Sequence, residues 1–512
     1  SYNTAVGESA LFSNTTASNN TAVGYKAFYS GTTADNTVAI GRQALYSATT
    51  GSGNVAVGST SMYLTTGIDN TALGTSTLRY NTSGISNVAV GVQSLYSNTT
   101  ASKNTAVGYQ AGYNNTTGEQ ITSVGYQALS ANTTAFNNNA FGLWAAKNTT
   151  TGQFNNAFGT SSLLTNTTGS NNTAVGESAL RSNTTASNNT AVGYQAGYSN
   201  TTGSENAAFG KETLKFNTTG YYNSAFGHNA MRDNTEGFEN AAFGMVALLE
   251  NTTGDYNTAL GVRALQNATT ADANTAVGRS ALISNTTGSS NVASGYLAME
   301  NNTTGSSNVA IGRQSLDQNT TGNDNTAVGF QAGYNSLIGR TTAVGYKAAL
   351  SNHSEYIVAV GFNALRNSSG GANTAVGHAS GYNTTTGASN VAIGHDSFNA
   401  NTTGSGNIAI GHDALRYNTT ADHNVAVGYL ALNANTTGGN LTAVGKGALA
   451  ANTTASDNTG IGLRALNANT TGANNSALGR DSLLVNTTGA SNTAVGGWAL
   501  TRTTTGNNNT AI

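Results

Sequence analysis

A short pattern of polar, small and apolar residues returns along the whole chain and always ends in a glycine. It reads Asn-Thr-Ala-Val-Gly at residues 20–24, 104–108, 172–176 and 492–496. Thirty such glycines run from Gly7 to Gly496, and of the intervals between them twenty-five are 17 residues long and four are 16. A fixed short period indicates a stack of similar units, each of which contacts mainly its neighbours.

Positions within one repeat are counted from this glycine as zero. Position −2 is small and almost always Ala, position −1 is apolar apart from Ser294, +3 is small, and +4 is usually large and apolar. A polar segment such as Asn-Thr-Thr-Gly follows. An amphipathic helix needs ten or more residues at helical spacing, and turn formers interrupt this pattern after about nine. The pattern predicts two short strands per repeat, Thr-Ala-Val and a second around Gln-Ala-Leu.

Stacking of these repeats predicts an all-β protein, a parallel β-solenoid of about 30 rungs spaced ~4.8 Å apart. The period runs through residues 1–512 without a shift in composition, so we expect a single continuous repeat domain. The chain begins and ends inside a repeat. We therefore expect it to be a fragment of a longer fibre.

Alternation along the first strand places position −1 on one face and positions −2 and 0 on the other. Neither face varies as a wet face would. We expect the apolar residue at −1, such as Val23, to fill the coil, and the small face to approach another backbone, across a narrow coil or from a neighbouring chain. Two large apolar residues per rung contribute roughly 1.5–3 kcal/mol each, little against the entropy of ordering the repeat. Stacked Asn and Thr side chains and association into a homotrimer are expected to supply the rest.

Composition excludes several classes of function. Only 8% of residues are charged and the net charge is −2, so the clustered Lys and Arg of a nucleic-acid partner are missing. The chain has no Cys, which rules out disulfides and thiolate metal sites, and its lack of Pro fits strands that are all central. No run of 18 apolar residues occurs, so we expect no membrane insertion.

No motif of a known catalytic type is found. The sequence has no phosphate loop, no nucleophile elbow and no His-Glu-x-x-His, and paired carboxylates do not recur in register. The regular Asp of calcium-binding repeats is also missing. We predict that the chain is not an enzyme and uses no cofactor.

Histidines offer one candidate metal site. His378, His395 and His412 occupy position +1 in three consecutive rungs, and Asp396 and Asp413 follow the last two. Imidazoles one rung apart can share a metal ion. The alternative, which we prefer, is a solvated surface row, because +1 is freely varied in the other repeats.

Asparagine and tyrosine provide two further candidates. About twenty Asn-Thr-Thr sequons are potential glycan acceptors, among them Asn14, Asn98, Asn166, Asn251, Asn285 and Asn452. The preferred alternative is that Asn and Thr only form turns. Tyrosine recurs at +1 and at +5, the latter as Tyr113, Tyr198, Tyr334 and Tyr382. These rows are candidates for carbohydrate binding, or cover the edge of the coil with the ring while the hydroxyl stays wet.

Three 16-residue repeats follow one another between Gly329 and Gly377, and Asn-Thr-Thr is lost there. This patch is a candidate binding feature. The alternative, which we prefer, is a deletion tolerated in a surface loop.

The segments Asn54–Gly58 and Asn308–Gly312 resemble the head repeats of trimeric autotransporter adhesins, the YadA-like family. Residues 104–112 are similar to the Asn-Thr-Ala-Val-Gly-Tyr-Gln-Ala-Leu repeats of phage tail fibres, with Gly112 in place of Leu. The resemblance covers the whole chain and implies a left-handed parallel β-roll in a homotrimer. The present repeat is longer than the adhesin repeat by its Asn-Thr-Thr-Gly loop.

Pattern and resemblance together predict a structural surface fibre or adhesin shaft, extracellular on a cell or virion surface. It would associate with itself and bind a carbohydrate or another host-surface receptor. The alternative is a self-assembling extracellular filament or sheath subunit, with glycans on the Asn-Thr-Thr loops.

Overall fold

A computed structural model describes residues 2–512 and contains short parallel strands joined by turns, without a helix among these residues. The chain divides into two compact units, Ser1–Tyr256 and Asn257–Ile512. Each unit is a parallel β-solenoid in which one strand and one series of turns make up each rung. The predicted all-β solenoid with a 17-residue repeat is confirmed, whereas the left hand of the coil and the trimer stay predictions.

The first unit contains strands β1 (Thr4–Val6), β2 (Thr21–Val23), β3 (Val38–Ile40), β4 (Val55–Val57), β5 (Thr71–Leu73), β6 (Val88–Val90), β7 (Thr105–Val107), β8 (Thr122–Val124), β9 (Asn139–Phe141), β10 (Asn156–Phe158), β11 (Thr173–Val175), β12 (Thr190–Val192), β13 (Ala207–Phe209), β14 (Ser224–Phe226) and β15 (Ala241–Phe243). The second contains β16 (Thr258–Leu260), β17 (Thr275–Val277), β18 (Val292–Ser294), β19 (Val309–Ile311), β20 (Thr326–Val328), β21 (Thr341–Val344), β22 (Ile357–Val360), β23 (Thr374–Val376), β24 (Val391–Ile393), β25 (Ile408–Ile410), β26 (Val425–Val427), β27 (Thr442–Val444), β28 (Thr459–Ile461), β29 (Ser476–Leu478), β30 (Thr493–Val495) and β31 (Thr510–Ala511).

Within each unit, a strand pairs in parallel with the strand of the next rung at the same repeat position. Ala174 of β11 lies opposite Ala191 of β12, one full repeat later. The 16-residue repeats keep this register, since Ala327 of β20 pairs with Ala343 of β21. The missing residue is therefore absorbed in the loop, and β21 and β22 each gain a fourth residue.

The inside of the coil is small, and the expectation that position −1 fills it is wrong. Ala106 at −2 is fully buried, whereas Val107 at −1 is 36% exposed. The large apolar residue at +4 lies inside with Ala: a Cβ placed on Gly197 would lie 2.9 Å from Leu180 and 3.7 Å from the Cβ of Ala191. The partner of the small face is therefore the opposite wall of the same narrow coil, not a neighbouring chain.

The second predicted strand is also wrong. Residues around Gln-Ala-Leu form consecutive turns, and positions +2 and +4 have positive φ, as at Gln127 (55°) and Leu129 (50°). Left-handed residues at every second position are incompatible with extended backbone. The turns still bond to the adjacent rungs, because the amide of Gln127 donates to Tyr109 O (2.9 Å) and that of Leu129 donates to Ala145 O (3.0 Å).

The repeat glycine is required by both its conformation and its surroundings. Gly411 has φ of 133°, and a Cβ there would lie 2.5 Å from the carbonyl oxygen of Gly428 in the next rung. Such φ values favour glycine. Any side chain at this position would push adjacent rungs apart.

Buried asparagines at position +7 form a ladder along the coil. The Nδ2 of Asn115 donates to Oδ1 of Asn98 (3.1 Å) and to the carbonyl of Gly118 (2.8 Å). Its Oδ1 accepts from Nδ2 of Asn132 in the following rung (2.8 Å). Where consecutive rungs carry Asn at +7, the amide thus links its neighbours and satisfies a backbone carbonyl that is turned toward the interior, and the ladder is interrupted where +7 is another residue, as at Thr149.

A second asparagine ladder at position +13 lies where the loop enters the strand. The backbone amide of Asn104 donates to Oδ1 of Asn87 (3.0 Å), and Nδ2 of Asn104 donates to Gly118 O (3.1 Å). Threonines at +8 add a surface ladder, in which Oγ1 of Thr116 donates to Thr133 O (3.0 Å). The expected stacking of Asn and Thr side chains is confirmed.

We expect Asn115→Ala to destabilise the first unit by about 1–3 kcal/mol, because it leaves the buried Gly118 carbonyl and its two ladder neighbours short of partners. Chemical denaturation of the full chain measures the change. The adjacent Asn114 is exposed, so Asn114→Ala is the matched control and should change stability little. Equal losses in the two variants would contradict the role of the ladder.

We expect Gly411→Ala to lower the stability of the second unit by at least about 1–3 kcal/mol, through backbone strain and the contact with Gly428. Thermal unfolding followed by circular dichroism is the measurement. Gly371→Ala is the control, since a Cβ there would have its nearest neighbour at 3.4 Å, an ordinary contact. If Gly411→Ala unfolds at the same temperature as Gly371→Ala, the steric argument fails.

Candidate functional site

The outward face of the strands is the most distinctive surface of each unit. Positions −1 and +1 both point away from the coil, so each rung places apolar side chains where water would contact them. Leu260 is 49% exposed and Leu478 is 50% exposed. Exposed apolar residues at −1 are Val6, Ile40, Leu73, Val107, Phe141, Phe158, Val175, Phe243, Leu260, Ile311, Val376, Ile393, Ile461 and Leu478. We call this set the outer apolar row.

Aromatic side chains stack where consecutive rungs carry them at one position. In the outer apolar row, the ring centroids of Phe141 and Phe158 are 4.9 Å apart at an interplanar angle of 8°. At +5, the rings of Phe12, Tyr29, Tyr46 and Tyr63 form a continuous stack with centroids 5.0–5.1 Å apart. The rung spacing therefore arranges the surface side chains in columns.

The tyrosine rows lie as expected from their repeat positions. Those at +1 are 40–46% exposed, and they are Tyr25, Tyr109, Tyr126, Tyr194, Tyr296, Tyr346 and Tyr429. The predicted outward orientation of +1 is confirmed. Tyr113, Tyr198, Tyr334 and Tyr382 at +5 are half-buried, which fits rings that cover the edge of the coil.

The longest run of rings lies at +1 of the second unit and includes the candidate histidines. It comprises Phe330, Tyr346, Phe362, His378, His395, His412 and Tyr429, with centroids 4.7–5.4 Å apart. The three imidazole rings are 49–50% exposed, and their Nδ1 atoms face two carboxylates that are largely shielded. The structure thus brings together all three predicted histidines with Asp396 and Asp413.

The candidate glycan acceptors belong to the +7 ladder. Asn98, Asn166, Asn251, Asn285 and Asn452 are fully buried, and Asn14 is half-buried. The Nδ2 atom that would carry the glycan donates instead to a carbonyl three residues on, as in Asn285 to Gly288 O (2.8 Å). A glycan on a buried Nδ2 is sterically incompatible with this ladder.

The shortened repeats open a groove of about 340 Å³ on the second unit. Its lining residues are Thr321, Gly322, Asn323, Asp324, Leu337, Ile338, Gly339, Arg340 and Glu355. Arg340 Nη1 donates to Glu355 Oε2 (3.1 Å) and to the hydroxyl of Tyr356 (2.8 Å). The strand register is unchanged here, so the shortened repeats are explained as loop deletions that the fold tolerates. The groove results from these deletions.

One carboxylate pair escaped the sequence analysis. Glu300 and Asp317 occupy +5 in consecutive rungs. Burial raises the pKa of Glu300, and the charge of Asp317 adds to the effect. Burial also raises the pKa of Asp317, although donors on Gln318, Gln314 and Asn301 oppose the shift. Their shared position in the repeat was the signal that would have identified them.

Asp481, near the end of the second unit, is a carboxylate whose pKa shifts in the opposite direction. Hydrogen bonds from Arg464, at 2.8 and 3.0 Å, are the main reason that the pKa of Asp481 falls below its usual value. Arg480 contributes a further contact at 3.3 Å. Asp481 thus stays ionised within a cluster of two guanidinium groups, which gives it a role in rung-to-rung cohesion.

The part of the chain that the structure describes contains no helix long and apolar enough to cross a membrane. Neither a scan against models of protein families nor a search of curated proteins gave a match to this chain. The resemblance to the adhesin and tail-fibre repeats therefore stays a prediction from the motif.

We expect the folded chain to carry no glycan on the Asn-Thr-Thr sequons whose Asn lies at +7, because these amides are buried and hydrogen-bonded. Peptide mass spectrometry after secretion from a glycosylating host should find these asparagines unmodified, whereas Asn148, at +6, is exposed and can be modified. A glycan on Asn285 in chains that remain folded would contradict the expectation. Asn14, which is only half-buried, is the internal comparison.

Proposed function

We propose that this chain is a structural surface fibre or adhesin shaft, extracellular on a cell or virion surface, that works as a homotrimer. The observation that supports it is the outer apolar row, which follows the same sheet face through each unit. The Leu, Ile, Val and Phe residues of this row are 36–57% exposed to water. Contiguous exposed apolar surface of this kind marks an interaction face.

A second copy of the same chain fits this face best. The row has the period of the rungs, so only a surface with the same period can stay in contact along it. Another copy of this solenoid has that period by construction. Closed symmetry is the usual arrangement of homo-oligomers, and the resemblance to trimeric adhesin heads favours three chains.

The remaining surface supports a role in display or attachment. The outward positions +1 and +5 vary freely from rung to rung, whereas the buried position −2 hardly changes. Variation confined to outward sites is typical of a constant scaffold that carries a changeable surface. The tyrosines at +1 would serve carbohydrate or host-receptor binding, since exposed aromatic rings beside polar groups suit both stacking and hydrogen bonding.

The alternative is a self-assembling filament or sheath subunit. Every rung offers the same backbone donors and acceptors to the next, so a rung of one chain is chemically able to continue the stack of another. Negative-stain electron microscopy separates the two proposals. Discrete particles of one length support the fibre, whereas end-to-end polymers support the filament.

We expect sedimentation equilibrium to give three times the chain mass of 51.7 kDa for the purified protein. Exchanging Phe141 and Phe158 for Asp places charges in the outer apolar row and should lower the mass toward that of one chain. The fold should persist, because both rings are outside the coil, at 37% and 39% exposure. Circular dichroism checks this point.

The matched control exchanges Thr151 and Thr168 for Asp, which adds the same charges to exposed loop sites of the same two rungs. This variant should keep the mass of the unmodified protein. A mass of one chain for the unmodified protein would overturn the homotrimer, and dissociation of both variants would place the interface elsewhere.

A further inference from the structure

The +1 column of the second unit contains a cluster with metal-ligand chemistry. We propose that His378, His395 and Asp396 bind one divalent transition-metal ion of the Zn²⁺ class. Among the described residues, these three form the group whose potential ligand atoms all lie within 4.8 Å of one another. Two imidazoles and one carboxylate are a donor set that suits zinc and nickel.

The carboxylate of Asp396 lies between the two rings. Its Oδ1 is 3.8 Å from Nδ1 of His378, and its Oδ2 is 3.6 Å from Nδ1 of His395. Ligands at about 2.0–2.2 Å around a tetrahedral zinc ion are roughly 3.3–3.6 Å apart. The two nitrogen–oxygen distances are therefore within a few tenths of an ångström of those required.

The two nitrogen atoms must approach each other to share the ion. The imidazole rings are stacked with centroids 4.7 Å apart and planes inclined by 10°, so their lone pairs are nearly parallel. Rotation about the Cβ–Cγ bonds makes the lone pairs converge. Both rings are half exposed, and the rotation would tilt them away from the stacked rings of Phe362 and His412, while Asp396 is held with only 15% of its side chain exposed.

The fold holds the two backbones at the spacing that the site needs. β23 and β24 pair in register, Val376 opposite Ile393, and the histidines follow two residues after these strands. Three protein ligands leave the fourth position to water or an incoming ligand, as in an open zinc site. The proposed site is therefore an exchangeable surface site, not a structural one.

Arg416 is the competing cation. Its Nη2 lies 3.3 Å from Oδ2 of Asp396, and its Nη1 lies 2.9 Å from Oδ1 of Asp413. The guanidinium neutralises the carboxylate that the ion would use. Removal of this charge should therefore strengthen metal binding, an effect opposite in sign to the removal of a ligand.

Calorimetric titration of the full chain with ZnCl₂ at pH 7.5 tests the proposal. One ion per chain should bind, His395→Ala should weaken binding by about tenfold or more, and Arg416→Gln should strengthen it. His228→Ala removes a histidine at +1 of a distant rung and is the control that should change nothing.

His378 and His395 both lie outside the coil, so His378→Ala and His395→Ala are expected to fold. Circular dichroism verifies this. Unchanged affinity in His378→Ala and His395→Ala would overturn the proposal, as would weaker binding in Arg416→Gln. Equal weakening by His228→Ala would show non-specific binding to surface histidines and would also overturn it. These outcomes are independent of the oligomeric state, so they separate the metal site from the proposed fibre.

Discussion

Most rungs of this protein depend on the hydrogen bonds that buried asparagine side chains form with neighbouring rungs. The chain must turn several times in 17 residues, so backbone carbonyls and amides point into an interior that water does not reach. The cost of leaving such groups without partners is comparable to a lost hydrogen bond for each. The ladders at +7 and +13 satisfy many of them: Nδ2 of a +7 asparagine donates to a backbone carbonyl, and its Oδ1 accepts from the next rung where that rung also carries Asn.

This constraint also explains why the interior is built from Ala and one larger residue per rung. Side-chain amides occupy two corners of the coil, and the strand at −2 faces the turn at +3 and +4 across the remaining space. Only small residues fit at −2 and +3, and Leu at +4 fills the gap. An interior this thin contributes little hydrophobic stabilisation, so polar ladders and association between copies acquire more weight than in an ordinary core.

The sequence pattern was sufficient for the rung, the first strand, the burial of +4 and the exposure of +1. It could not decide which face of the strand points inward, because alternation assigns residues to faces without orienting them. The usual preference of apolar residues for the core places Val inside and Ala against another backbone, across a narrow coil or in a neighbouring chain, whereas Ala106 is fully buried and Val107 is exposed. The turns at +2 and +4 were missed because Gln and Leu carry no signal for positive φ. Their regularity depends on bonds to other rungs, which single-sequence propensities do not contain.

The functional surface follows from the same regularity. A substitution at one outward position changes one point on the surface. The same residue type in consecutive rungs creates a column of side chains that are spaced about one rung apart. The stacked phenylalanines, the tyrosines at +5 and the histidines at +1 are three such columns, each with different chemistry. A scaffold whose interior tolerates almost no change can therefore acquire new binding surfaces through outward residues alone. At His378 and His395 the buried strand residues are still Ala375 and Ala392, while the turns of the same two rungs bury Ser380, Thr384, Ser397 and Phe398 in place of the usual residues.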